Sequence, residues 1–133
     1  MSTLQAANIQ SLSSATLPVI KDSAGTEYGR FCRAFVNFDG TTSPGTIRTS
    51  FNVSSVTKNT TGDYTVNFTN AFSDANYTVS FGGQGVSASG WWRFLGSGAA
   101  SVNGFSASSY RFQTPDVSWA VQDTLVATLT FFR

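Results

Sequence analysis

The chain has 133 residues and a formal charge of +1, and only 11% of its residues are charged, less than half of the roughly 25% usual for soluble domains. Nineteen Ser, 17 Thr and 8 Asn take the place of charges, so the clustered Lys and Arg of a polyanion binder are missing. The absence of His excludes His-dependent triads, His general bases and His-ligated zinc, and one Cys excludes an internal disulfide or a Cys cluster.

Residues 1–30 differ from the rest. They have no aromatic before Tyr28 and are rich in Ser, Thr and Ala, with apolar residues only at scattered positions. Pro18 breaks any helix there, and Asp22-Ser23-Ala24-Gly25 reads as a turn. The segment is expected to be an extended arm, with Leu4, Ile9, Leu12, Leu17 and Ile20 docking on a partner's surface.

From residue 31 the pattern has period two. Cys32, Ala34, Val36 and Phe38 share one face, and Arg33, Phe35, Asn37 and Asp39 the other. A loop at Gly40–Gly45 follows. Ile47, Thr49, Phe51 and Val53 then alternate with Arg48, Ser50, Asn52 and Ser54. Asn59–Asp63 is a turn in which Gly62 suits a positive φ. Tyr64, Val66 and Phe68 alternate with Thr65, Asn67 and Thr69, the clearest strand signature in the chain. Asp74-Ala75-Asn76 turns again, and Tyr77, Val79 and Phe81 repeat the alternation.

Residues 82–104 form a Gly/Ser/Ala segment interrupted by Trp91-Trp92-Arg93-Phe94-Leu95. A strand is expected around Phe105 to Gln113 and a turn at Thr114-Pro115-Asp116. Val117, Trp119 and Val121 alternate, and Leu125, Ala127, Leu129 and Phe131 close the chain. No helical period persists beyond about two turns, and Ser, Thr, Val and Phe are poor helix formers. Short strands at regular spacing predict an all-β fold, an antiparallel sandwich or jelly roll spanning 31–133.

Several strands are aromatic on both faces. A lone sandwich needs one apolar face per strand, so Phe35, Phe131 and Phe132 are expected at a contact between subunits. A closed trimer would bury such second faces and protect sheet edges. Trp91, Trp92 and Arg93 are the candidate ligand site, because a Trp face beside an Arg offers stacking and charged hydrogen bonds to a saccharide. Packing of both Trp in core and interface is the plainer alternative.

The acidic residues Asp39, Asp63, Asp74, Asp116 and Asp123 read as turn residues capping backbone amides, with no spacing that suggests a catalytic pair. Cys32 reads as a buried, inert thiol. The Arg residues are expected to pair with Asp or with carbonyls at a subunit seam. The Asn-x-Ser/Thr sequons at Asn52, Asn59, Asn67 and Asn76 are expected by chance in so Asn-, Ser- and Thr-rich a chain. No apolar run reaches the roughly 20 residues of a membrane helix. The opening residues lack the look of a signal peptide. Neither a metal nor a cofactor is expected, nor are nucleic-acid partners or membrane insertion.

Two stretches carry a resemblance. One is Cys32-Arg-Ala-Phe-Val-Asn-Phe-Asp-Gly40. The other runs from Ile47-Arg-Thr-Ser-Phe-Asn-Val-Ser-Ser55 through Thr61-Gly-Asp-Tyr-Thr-Val-Asn-Phe-Thr69 to Asp74-Ala-Asn-Tyr-Thr-Val79. With Ser2-Thr-Leu4, Asn8-Ile-Gln10 and Asp22-Ser-Ala-Gly-Thr-Glu27, they resemble a β-domain of tail-fibre-like virion proteins of tailed bacteriophages, especially marine phages and cyanophages. The resemblance covers roughly residues 1–80; residues 82–133 match no family. It implies a structural protein of the virion, commonly trimeric, with no catalytic residues; the expectation is a non-enzymatic protein of tail-fibre or adhesin type that binds other virion proteins and, through Trp91, Trp92 and Arg93, a host surface glycan. The rival expectation is a capsid decoration (cement) protein, or a neck- or baseplate-associated protein. A glycan depolymerase fits poorly with unpaired acids and no His.

Overall fold

The computed structural model describes residues 19–86, 95–96, 104–116 and 118–133. These fall into two units, divided after Phe31.

In the first unit, β1 (Val19–Lys21) and β2 (Glu27–Arg30) form an antiparallel hairpin. Asp22 closes it as a turn residue should: its carboxylate accepts from the Ala24 and Thr26 amides at 2.9 and 2.7 Å. Gly25 supplies the left-handed position, φ +87°. Ile20 is exposed on this hairpin. Leu4, Ile9, Leu12 and Leu17 lie outside the described residues.

The second unit is an antiparallel β-sandwich. Its first sheet has the order β4-β3-β10-β7, built from β4 (Thr46–Phe51), β3 (Cys32–Asp39), β10 (Thr124–Phe132) and β7 (Thr78–Gly85). Its second has the order β5-β6-β9-β8, built from β5 (Val53–Thr60), β6 (Asp63–Phe68), β9 (Ser109–Gln113) and β8 (Leu95–Gly96). The alternation read in β3 and β6 is the inward pattern of these sheets. Ala34, Val36 and Phe38 face Tyr64, Val66 and Phe68 across a core in which all six are buried.

That core is largely aromatic. Phe38 meets Tyr64 and Phe112 edge-on, with centroids 5.3 and 6.3 Å apart. At the other end Phe68 stacks on Phe72 at 4.5 Å, and Tyr77 and Phe131 stand edge-on to it at 5.8 and 5.0 Å. Such offset and edge-to-face pairs suit the ring quadrupole. Burial foremost pushes the Tyr77 hydroxyl up to about 12. The hydroxyl donates to the Ser106 and Ser109 carbonyls.

Three local devices break the simple alternation. Asn52 is left-handed at φ +55°, so the chain turns there from β4 into the other sheet. Phe51 and Val53, expected on one face, therefore part: Phe51 is 55% exposed and Val53 is buried. A bulge between Thr124 and Val126 sends Leu125 outward, although Ala127, Leu129 and Phe131 behave as read. A further register shift between Phe131 and Phe132 leaves Cys32 only half-buried, its thiol against the Ala34 carbonyl at 3.2 Å. The expectation of a fully buried thiol is corrected accordingly.

Two further expectations change. Val117, Trp119 and Val121 do not mark a strand: the described residues of this stretch form a turn with Trp119 at φ +67°. The strand expected from Phe105 is shorter, because the chain doubles back so that Phe105 bridges Tyr110.

Candidate functional site

Strand β10 assigns its terminal aromatics to opposite faces. Phe131 has no exposure and packs among Phe68, Tyr77 and Tyr110. Its expected role in a subunit contact is thus corrected: the inward register of Ala127 and Leu129 continues through it. Phe132 is 39% exposed.

The outer face of the first sheet carries more apolar surface than the sequence suggested. Phe35 on β3 is paired across the ladder with Phe51 on β4, and their rings lie 6.3 Å apart. Phe35 also pairs with Thr130 on β10, two residues before the exposed Phe132. Phe51 was hidden from sequence reasoning because a register shift in the β3–β4 ladder between Thr49 and Ile47 puts it on the opposite face from Ile47, and the Asn52 corner then separates it from Val53. A Pro or Gly would have flagged that corner; an Asn inside an alternating run does so only weakly.

The charged groups serve the sandwich. Asp63, read as a turn residue, opens β6 and is almost fully buried. Burial raises its carboxyl, but donors from Arg111, Gln113 and Asn59 outweigh this and hold it below the usual carboxylate value. Arg111 binds it bidentately at 2.8 and 2.9 Å, Gln113 at 2.8 Å and Asn59 at 2.8 Å. Asp123 is likewise raised by burial and lowered further by Lys58, the Gly62 amide and Tyr64. The bond lengths are 2.7, 2.9 and 3.0 Å. Burial above all drives the Tyr64 hydroxyl well above its ordinary range. That hydroxyl donates to the Gly40 carbonyl and accepts from the Thr124 amide, so it ties both sheets together.

Asp39, Asp74 and Asp116 cap nearby amides as expected. Arg48 reaches Asp39 and the Leu125 carbonyl, and Arg133 reaches Asp74. These pairs, expected at a seam between subunits, form within one chain. Three of the sequon amides are also committed internally: Asn52 donates to the Arg33 carbonyl, Asn59 to Asp63, and Asn67 to Ser55 and Thr57. Among the described residues, no group of three or more His, Cys, Asp or Glu could hold a metal, and no helix is long and apolar enough to cross a membrane.

Trp91, Trp92 and Arg93 lie outside the described residues. Trp119, expected in a strand, is instead an aromatic 62% exposed at the end of a closed turn. The Thr114-Pro115-Asp116 signal marked that turn, but the aromatic at its left-handed position is a residue type no turn rule anticipates.

No family model matches the chain, and no curated protein matches it. Among solved structures, one similar chain is the phiAB6 tailspike, determined in complex with three-repeated oligosaccharides of Acinetobacter baumannii surface polysaccharide. The likeness is distant, with 16% identity and a TM-score of 0.49 over 96% of this chain. This chain spans about 30% of the tailspike chain's length.

Proposed function

We propose that the protein is a non-enzymatic structural component of a bacteriophage virion, of tail-fibre or adhesin type, and that it assembles as a homotrimer. The observation that carries the oligomer is the outward aromatic set Phe35, Phe51 and Phe132 on the first sheet. Soluble monomers rarely leave large contiguous apolar patches in water, and a closed ring of copies covers such a face on every subunit. The virion assignment rests on the resemblance over roughly residues 1–80. The engagement of Asp39, Asp63 and Asp123 in structural bonds favours a scaffold over a hydrolase, since a general acid or base must be available to substrate.

Sedimentation equilibrium tests the assembly. The expected mass is three chains at micromolar concentration, falling to one when Phe35 and Phe51 are both replaced by Ser. A monomeric parent overturns the proposal. Mass spectrometry of purified particles tests the location. A copy number of a few trimers per particle supports a tail component, whereas copies matching capsid symmetry favour a decoration protein.

A further inference from the structure

The charges of this chain pair off within it almost completely. Five ion pairs and the amide caps made by Asp22 and Asp116 engage all seven side-chain carboxylates of the sequence. Among the described residues, Lys21 and Arg33 are the cations left without a carboxylate. Lys21 is exposed on its hairpin. Arg33 is half-buried, and burial costs a charge part of its hydration unless an anion replaces the water.

Local structure puts Arg33 there. Phe131 pairs with Ala34 and Phe132 with Cys32, so the ladder between β3 and β10 skips Arg33. A residue left over at such a bulge has its side chain re-aimed. The Arg33 guanidinium carbon lies over the ring of the buried Phe72, 5.5 Å from the centroid. The ring attracts the charge, but a guanidinium has five N–H donors, and none of them meets a hydrogen-bond acceptor among the described residues. Arg133, which follows Phe132, makes the same corner more positive. It reaches Asp74, yet its Nε is buried without a hydrogen-bond partner. Burial first, and then the charge of Arg133, pull the Arg33 guanidinium below its ordinary value.

We propose that Arg33 is the docking point for an acidic residue of a different protein. The corner where β3 begins and β10 ends holds two guanidiniums and the one carboxylate of Asp74, so its charge calls for an anion. A carboxylate matches the planar guanidinium fork, which Phe72 holds from one side. The Arg133 Nε is closed to solvent, so the contact falls to Arg33. The anion does not come from a second copy, because every side-chain carboxylate of this chain is already bonded within it. An acidic sugar would need partners for its hydroxyls as well as for its carboxylate, and the side chains bordering Arg33 are Cys32, Ala34 and Phe72. Pairing of Phe132 with Cys32 sets Arg33 at the margin of the outward aromatic face, and a charge at the rim of a covered apolar patch is where a further protein is engaged. The inference rests on the reading of the chain as a partner of other virion proteins and gives that partner a chemistry; its assay uses the purified chain and does not depend on the trimer.

The experiment titrates the full chain with blocked tetrapeptides that carry one Asp or Glu among apolar residues, with the matched Asn or Gln peptides, and with acetate, inorganic phosphate and uronic-acid di- and trisaccharides. Binding is followed by NMR at the Arg33 Nε–H and at the Ala34 and Asp74 amides. The expected result is saturable binding of an acidic peptide, tighter than that of acetate, and none of its amide counterpart. Arg33→Gln should weaken that binding by about tenfold or more, the scale of an interface hot spot. Lys21→Gln removes the same charge from the exposed hairpin and should leave binding as in the parent. Arg33→Lys keeps the charge without the fork and should bind between the two, which keeps the test decisive if the Gln variant fails to fold. The proposal is overturned if acidic and amide peptides bind alike, or if no peptide binds. It is overturned equally if acetate, phosphate or a uronic-acid sugar binds as tightly as the acidic peptide, if both Arg33 variants bind as the parent does, or if Lys21→Gln loses as much as Arg33→Gln. Sedimentation and particle copy number report on the trimer and the virion separately, so either reading can fail without the other.

Discussion

Among the described residues, two carry side chains in the left-handed region, Asn52 at φ +55° and Trp119 at +67°, and they differ in how that region is held. At Asn52 the side chain does so itself. Its amide nitrogen donates to the Arg33 and Asn70 carbonyls, both at 3.1 Å, and its amide oxygen accepts from the Asn70 amide at 2.8 Å. Its own carbonyl accepts from Thr69. One side chain thus ties the start of β3, the β4–β5 corner and the end of β6, where the chain changes sheets. Asn is also the non-glycine residue that tolerates this region best. At Trp119 the bonds that shape the turn come from Asp116 and the backbone, and the indole stands largely in solvent. The same backbone region is thus held by the residue's own side-chain bonds at one site and by the bonds of a neighbouring Asp at the other.

The largest expected effect comes from breaking the Asn52 side of that comparison. Asn52→Ala removes three hydrogen bonds and places a Cβ with no local bonding in the left-handed region, so we expect a loss of about 2–4 kcal/mol in urea unfolding. Asn52→Gly keeps the backbone permissive and loses only the bonds, so it should cost about 1–2 kcal/mol less than the Ala variant. Equal losses would mean that the corner carries no strain of its own.

Acid distinguishes the two sites next. The Asn52 corner is held by a neutral amide. At the foot of the Trp119 turn the Thr114 amide donates to the Gly62 carbonyl, and the Gly62 amide is fixed by Asp123. The folded Asp123 carboxyl lies below its ordinary value, because Lys58, Gly62 and Tyr64 outweigh the effect of burial. A lowered carboxyl contributes stability that is complete above its unfolded value, near pH 4, and that is lost as pH falls through the lower, folded one. We expect about 1–2 kcal/mol to be lost this way. Asp63, lowered in the same sense, adds to the loss in the same window. Hydrogen exchange below pH 4 should show amides at Gly62 and Gln122 opening before that of Asn70. Simultaneous opening would show that the foot and the corner unfold as one unit.

These two sites also explain how far the sequence could be read. The inward faces of β3 and β6 were legible because Ala34-Phe35-Val36 and Tyr64-Thr65-Val66 keep strict phase with one buried side. One left-handed residue is enough to reverse that phase. With the register shift between Thr49 and Ile47 before it and the Asn52 corner after it, Phe51 leaves the face of Ile47 and Val53 and pairs with Phe35 instead. The extra residue Leu125 did the same on a smaller scale. Trp119 was lost for the opposite reason. Val117, Trp119 and Val121 imitate a strand, and only the bonding of Asp116 reveals the turn. The Asp116 signal itself was legible, as were Asp22 and the left-handed Gly62.

Asp116→Ala tests the Trp119 corner through its support. It removes both amide contacts that close the turn, and a cap of this kind contributes about 1 kcal/mol. Circular dichroism melting should show that modest loss, while near-ultraviolet tryptophan signal changes more than the melting does, since the indole loses its fixed orientation. A loss as large as that of Asn52→Ala would place the turn among the elements that hold the sandwich together.

The smallest effect has the opposite sign. If the sandwich gains nothing from an indole at φ +67°, removing the side chain should relieve strain and cost little. Glycine brings a more flexible unfolded chain, which lowers stability by roughly 0.4–1 kcal/mol, and relief of the left-handed penalty of roughly 1–2 kcal/mol works against it. The net expectation for Trp119→Gly is a chain as stable as the parent or more stable, by up to about 1 kcal/mol. Asn52→Gly, made at the same backbone geometry, should lose stability. The two glycine variants therefore form a matched pair, read by urea midpoint at neutral pH. Opposite signs would mean that one left-handed residue is kept for the fold and the other despite it. A shared destabilising sign would mean that the indole contributes packing the sandwich needs, and the distinction between the two corners would collapse.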